Sequence, residues 1–293
     1  MTYCVGLRLD QGLVFLSDSR TNAGVDQVST FRKMVVFERP GDRVLVMMTA
    51  GNLAVSQSVR QIVEERISPD GRSIWNAPTM YDAVRLVGDA VREVRSRDAE
   101  ALTEAGIEFT ISIILGGQIE GERTRLFMVY SAGNFIEAHE ESPYFQIGES
   151  KYGKPVLDRM VQPSSSLDEG AKCALVSMDS TLRSNISVGL PLDLLCYEVD
   201  ALRVTRFSKI DYRNQYFQMI HSTWGQRLKQ VFSEIPDPTW DDNQIAGAAL
   251  AAGTLGEPVR AILPAALISP NEPEPSRRFQ TLAEQDPKAT QLL

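Results

Sequence analysis

Three residues near the start of the chain have the types and spacing for amide-bond chemistry: Thr2, Asp18 and Lys33. Thr2 follows the initiator Met, whose removal is expected before so small a residue. Thr2 would then carry a hydroxyl and a free α-amine on one residue. The hydroxyl is fully protonated near neutral pH, whereas an α-amine titrates at about 8 and takes up that proton at little cost. Lys33 supplies a cation that lowers the proton affinity of both groups and stabilises developing negative charge, and Asp18 can hold that cation in place. The plain alternatives are a threonine at a fraying strand end and a surface ion pair.

Further candidates lie downstream. Gly51 follows Thr49-Ala50 at a strand-to-helix junction, where a backbone N–H at a helix N-terminus suits an oxyanion; it also reads as an ordinary turn glycine. Asp179 and Ser184, in MDSTLRSNISVG, are either a hydrogen-bond relay or helix-end turn chemistry. Arg20 reads as a charge that orients the loop after Asp18. Cys4 lies on a strand without a His partner and reads as a small core residue.

Composition narrows the class. The 293 residues are 43% apolar and 23% charged, as in a soluble globular protein. A net charge of -8 argues against nucleic acid or an anionic membrane as a main partner. Three cysteines and two histidines, scattered, fit neither a disulfide framework nor a metal site. There is no signal-like N-terminus and no apolar run of membrane length, so a cytoplasmic location is expected.

These residues need elements to bring them together. Short apolar runs at 3–9 and 13–17, and again at 34–38 and 43–49, read as hairpins of an antiparallel sheet, with 21–32 a polar loop. A β-meander there would carry Lys33 beside the first strand. Helical spacing follows at 51–67 and 79–95. Strands return at 108–115, 123–130, 135–140 and 143–148. Two helices follow, at 151–160 and from the capping-box pattern Ser166-Leu167-Asp168-Glu169 to 182. A last strand pair is expected at 192–199 and 202–207. Strands alternating with helix pairs predict an α+β fold, a four-layer αββα sandwich of two antiparallel sheets between helix pairs. This domain spans 1–210, and 211–293 is a C-terminal extension made of a helix near 214–232 and a Pro-rich arm.

Taken together, these blocks resemble the proteasome β-subunit family of N-terminal nucleophile (Ntn) hydrolases. Thr2-Tyr3-Cys4-Val5-Gly6 is similar to its T-T-x-V-G start, and Ser17-Asp18-Ser19-Arg20 to its A-D-S-R. Lys33-Met34 is similar to its K-I, and Thr49-Ala50-Gly51 to its S/T-A-G. Asp179 and Ser184 stand where the family has D-x-x-S-G, at longer spacing. The Met-Thr start, the TFRKM block, the GESKYGKPVLDR segment and the long C-terminus resemble the bacterial branch called Anbu. Where the family has G-S-G-S beside the nucleophile, this chain has Gly148-Glu149-Ser150-Lys151.

The resemblance implies the αββα fold and a threonine peptidase acting on peptides or unfolded chains without metal or organic cofactor. Thr2 is then nucleophile and base, tuned by Asp18 and Lys33. The Gly51 N–H receives the oxyanion, and Asp179 and Ser184 support the amine. Arg20, Thr21, Asn22 and Thr49 line the substrate path, where an extended peptide can pair as an added strand. It implies a homo-oligomer, a ring or an open helical assembly, to which an unfoldase partner would deliver substrate. The rival readings are an amidase or amide transferase on the same nucleophile, and an inactive structural ring subunit.

Overall fold

The computed structural model describes residues 2–22 and 28–238. Strands β1 (Tyr3–Leu9) and β2 (Gly12–Asp18) lead through a short hairpin, β3 (Arg20–Asn22) and β4 (Val28–Thr30), to β5 (Met34–Arg39) and β6 (Arg43–Gly51). Helices α1 (Leu53–Glu65) and α2 (Met80–Glu104) follow, then β7 (Ile111–Ile119), β8 (Arg125–Val129), β9 (Phe135–Glu137) and β10 (Tyr144–Gly148). The chain continues through α3 (Lys154–Met160), α4 (Leu167–Ser184), β11 (Leu192–Glu198), β12 (Arg206–Ile210) and α5 (Gln215–Glu234). One antiparallel sheet has the order β10-β1-β2-β11-β12 and the other β5-β6-β7-β8-β9.

Strand alternation sorts the apolar residues into three cores. Between the sheets lie Cys4, Leu13, Phe15 and Leu195, meeting Val44, Val46, Met48 and Ile114. Their strand neighbours turn outward. Tyr3, Val5, Leu7, Val14 and Leu16 pack on Ala174, Leu175 and Met178 of α4. Leu45, Met47, Ile113 and Leu115 pack on Val59 of α1 and on Val84, Val87 and Val91 of α2. Each such fully buried aliphatic side chain contributes about 1.5–3 kcal/mol relative to exposure. The result is the four-layer αββα order expected from the sequence.

Local signals set the helix starts. Asn52 caps α1, its side chain accepting from the N–H groups of Ala54 and Val55. The capping box at Ser166 and Glu169 is present on α4. Helix α2 runs well past the expected end at 95, because Ala99, Glu100, Ala101 and Leu102 are good helix formers even after the apolar stripe stops at Val94.

Two expectations are corrected. The first four long strands do not share a sheet: β1 and β2 belong to one, and β5 and β6 to the other. The segment read as a polar loop contains the β3–β4 hairpin, through which the chain crosses between layers. Lys33 therefore approaches β1 from the opposite sheet rather than along a meander.

Helix α5 packs on α4 through Phe217 and Ile220, while Tyr216, Met219, Leu228, Val231 and Phe232 stay exposed. The Pro-rich arm lies outside the described residues. Among the described residues, no helix is long and apolar enough to cross a membrane.

Candidate active site

Strand β1 lies between β10 and β2, so its first residues are held on both edges. The Thr2 carbonyl accepts from the Glu149 N–H at 2.7 Å. The Tyr3 N–H donates to Asp18 Oδ1 at 3.0 Å. Both polar groups of the Thr2–Tyr3 peptide are thus engaged, one by β10's end and one by β2's. The Tyr3 side chain is locked too: its hydroxyl lies 2.7 Å from Ser177 Oγ and accepts from Gln146 Nε2 at 2.5 Å. Thr2 itself is half-buried.

Lys33 Nζ donates to Asp18 Oδ1 and to the Arg20 carbonyl, each at 2.6 Å. Both side chains are buried, so this is not the exposed ion pair that the plain reading offered. Burial pushes the Asp18 carboxyl up from its ordinary value; the Lys33 ammonium and the N–H groups of Tyr3 and Gly189 work against that. Arg20 is an anchor for the neighbouring wall: its guanidinium donates to the Ile186 carbonyl at 2.9 Å and packs where a Cβ on Gly189 would sit.

These groups open onto a cleft of about 540 Å³, with Thr2, Arg20, Thr21, Lys33, Thr49 and Gly51 among its walls. Thr49 N–H donates to the Lys33 carbonyl at 3.2 Å. Amides alternate along a strand, so the Gly51 N–H leaves β6 on the same edge, beyond the start of β5 and over the cleft. Gly51 has φ +118°, and a Cβ there would fall 2.4 Å from the Thr110 carbonyl, which only glycine tolerates. The N–H groups of Asn52, Ala54 and Val55 already have acceptors, which leaves those of Gly51 and Leu53 as the candidate donors at this junction. Thr21 Oγ1 is buried without a hydrogen-bond partner among the described residues. Asn22 ends β3, opposite Val28, and its side chain lies outside the described residues.

Asp179 and Ser184 are not brought to this cleft. The buried Asp179 carboxylate meets His221 Nδ1 of α5 at 2.6 Å. Ser184 lines a separate hollow of about 810 Å³, between the α4 end and α5, together with His221. Asp179 sits five residues before the end of α4, roughly 7.5 Å back along the axis at about 1.5 Å per residue. Residues from just beyond that helix reach the groups that hold the Thr2–Tyr3 peptide. Asn185 Nδ2 donates to Glu149 at 2.9 Å, and the Gly189 N–H points to Asp18 Oδ2 at 3.4 Å. Sequence reasoning missed both; a glycine between a helix end and a strand was the available signal for Gly189.

Cys4 is fully buried between the sheets, and burial pushes its thiol upward, which fits a core residue. Among the described residues, no cluster of His, Cys, Asp and Glu could hold a metal ion.

The proteasome subunit family matches residues 2–189. The chain is 49% identical to a solved structure of Anbu (ancestral beta-subunit) from Yersinia bercovieri, with TM-score 0.75, over 81% of this chain and 99% of that one. It is 48% identical to an Anbu (Gly-1) mutant from Hyphomicrobium sp. strain MC1, TM-score 0.76, over 82% and 100%. A third structure, the helical assembly of the Anbu complex from Pseudomonas aeruginosa, is 47% identical, TM-score 0.77, over 81% and 98%. No curated protein matches. About a fifth of this chain lies outside the span shared with these structures.

Proposed function

The chain belongs to the proteasome subunit family, in its bacterial Anbu branch, and from that premise we propose that it hydrolyses peptide bonds with Thr2 as an N-terminal nucleophile. The observation that carries the reading is the buried Lys33–Asp18 pair, whose Asp18 Oδ1 also holds the Tyr3 N–H immediately after Thr2. A cation anchored there favours a neutral α-amine and a more acidic hydroxyl.

Once Met1 is removed, the amine lone pair takes the Thr2 hydroxyl proton as Oγ attacks the scissile carbonyl carbon. The carbonyl π electrons move to oxygen, and the Gly51 N–H donates to that oxyanion. Collapse breaks the C–N bond, the ammonium returns its proton to the leaving nitrogen, and an ester on Thr2 remains. Water, deprotonated by the same amine, hydrolyses the ester. Thr21 and the 49–51 edge offer strand-like backbone to an extended peptide.

The test is a peptide epoxyketone, which needs both hydroxyl and amine to form its cyclic adduct. A mass spectrum placing that adduct on Thr2, absent from Thr2→Ala, supports the reading. An intact mass that retains Met1 removes it.

The same reading has the chain self-assemble, through the exposed face of α5 and the extension beyond it. A chain ended at 238 should sediment as smaller species if residues 239–293 contribute contacts. An unchanged profile confines the contacts to the described part.

A further inference from the structure

Glu149 is a buried carboxylate placed beside Thr2, and among the described residues its one ion pair is with an exposed lysine. Glu149 itself is 8% exposed. Its backbone N–H holds the Thr2 carbonyl at 2.7 Å, extending the β1–β10 register in which Tyr3 faces Gly148. Residues facing one another across antiparallel strands have Cβ atoms only about 4.5–5.5 Å apart. Its carboxylate accepts from the neutral amide of Asn185 at 2.9 Å. Among the described residues, its ion-pair partner is Lys151, 3.8 Å away, with a side chain 71% exposed to solvent. Buried carboxylates are ordinarily paired with a cation. A closer-lying cation is created next door when Met1 leaves: the α-ammonium of Thr2.

We propose that Glu149 is a positioning residue for the proposed hydrolysis, holding the Thr2 α-amino group and stabilising the positive charge it acquires when Oγ attacks. Asn185 shares the carboxylate through its amide and so draws part of its charge away from the amine. The idea rests on Thr2 being the nucleophile. Among the described residues, the other charged groups toward Thr2 are Asp18 on β2, Arg20 on β3, Lys33 before β5 and Lys151 after β10, with the Asp179–His221 pair farther back on α4 and α5. Lys33 and Arg20 disfavour an ammonium, Glu149 favours it, and the amine titrates under both influences.

Two effects of opposite sign follow. A nearby carboxylate makes the amine a stronger base, which speeds attack once the amine is neutral. It also keeps the amine protonated to higher pH, so the acid limb of activity is displaced upward. A merely structural side chain does neither.

The experiment titrates the amine directly. The full chain is treated with a small acylating reagent across pH, and mass spectrometry of the N-terminal peptide scores α-amine acylation. Glu149→Gln should lower the midpoint by about one pH unit, whereas Glu149→Asp should keep most of the wild-type value. In peptide hydrolysis, Glu149→Gln should shift the acid limb of kcat/KM down and reduce the alkaline plateau. Asn185→Ala should leave the carboxylate leaning on the amine and move the midpoint upward, and this arm stands if Glu149→Gln fails to fold. A midpoint unmoved by these variants, in protein lacking Met1 and trapped on Thr2 by the epoxyketone, overturns the role of Glu149 and leaves the nucleophile standing. Retained Met1 or an active Thr2→Ala overturns the nucleophile and this role with it.

Discussion

Gly148 lies against the carbonyl of Thr2: its φ is +82°, and a Cβ at this position would fall 1.9 Å from Thr2 O. The end of β10 therefore sets where Thr2 can stand. Gly148→Ala must push Thr2 aside, and a displacement of about 1 Å at a reacting atom lowers turnover on the order of 100-fold. Peptide hydrolysis and a melting curve check this, and a Gly148→Ala protein with full kcat would show that the contact does not position Thr2.

The Lys33–Asp18 pair predicts a stability signature as well as loss of activity. Lys33→Met leaves the Asp18 carboxylate buried without its cation, at a cost of about 3–5 kcal/mol. Adding Asp18→Asn should recover much of that stability but none of the activity. Urea denaturation of the single and double variants measures the coupling. Additive effects would mean that the two side chains do not act as a pair.

Asp179 separates the sequence-based placing from the structural one. Replacing His221 with Phe deprives a buried carboxylate of its partner and should cost about 1–3 kcal/mol. Asp179→Asn should likewise alter stability while the epoxyketone reaction of Thr2 proceeds at close to the wild-type rate. If instead that variant keeps its stability and loses the reaction, Asp179 belongs beside the amine after all.

The cysteines give a pH dependence whose sign can be worked out. Burial raises Cys173 and Cys196 from the usual value of 9.0 to about 11. In the unfolded chain these thiols ionise first, so their stabilising contribution is complete below pH 9.0 and is lost as pH rises toward about 11. Urea midpoints across that range should fall. At pH 8 the native thiols should resist alkylating reagents, and rapid labelling of Cys4 in folded protein would contradict its place between the sheets.

Much of the fold was legible because its signals are local. The period-two runs of β1, β2, β5 and β6, the helical spacing of α1 and α2, and the box at Ser166 and Glu169 each depend on residues a few positions apart. The αββα layering followed from the order of those elements. The partition of strands between sheets was not legible, since β1–β2 and β5–β6 are equally good hairpins and only the β3–β4 crossing separates them. At the site, Thr2, Lys33, Thr49 and Gly51 were read from the chain and do share a cleft, with Asp18 beneath it. Asp179 was assigned to the amine through its resemblance to the D-x-x-S-G motif, while in the fold its turn of α4 faces α5 and its carboxylate meets His221.

The sequence by itself determined the kind of chemistry available: a hydroxyl and an incipient amine on Thr2, and a cation and carboxylate at fixed distances along short strands. Those are properties of side chains and of secondary structure, which neighbours in sequence control. The tertiary structure decided which distant groups surround Thr2. Glu149 arrives from the end of β10, Gly189 from the loop before β11, and Asn185 from the residue after α4. Their positions follow from how sheets and helices stack, and a long-range contact of that kind leaves no periodic mark on the chain.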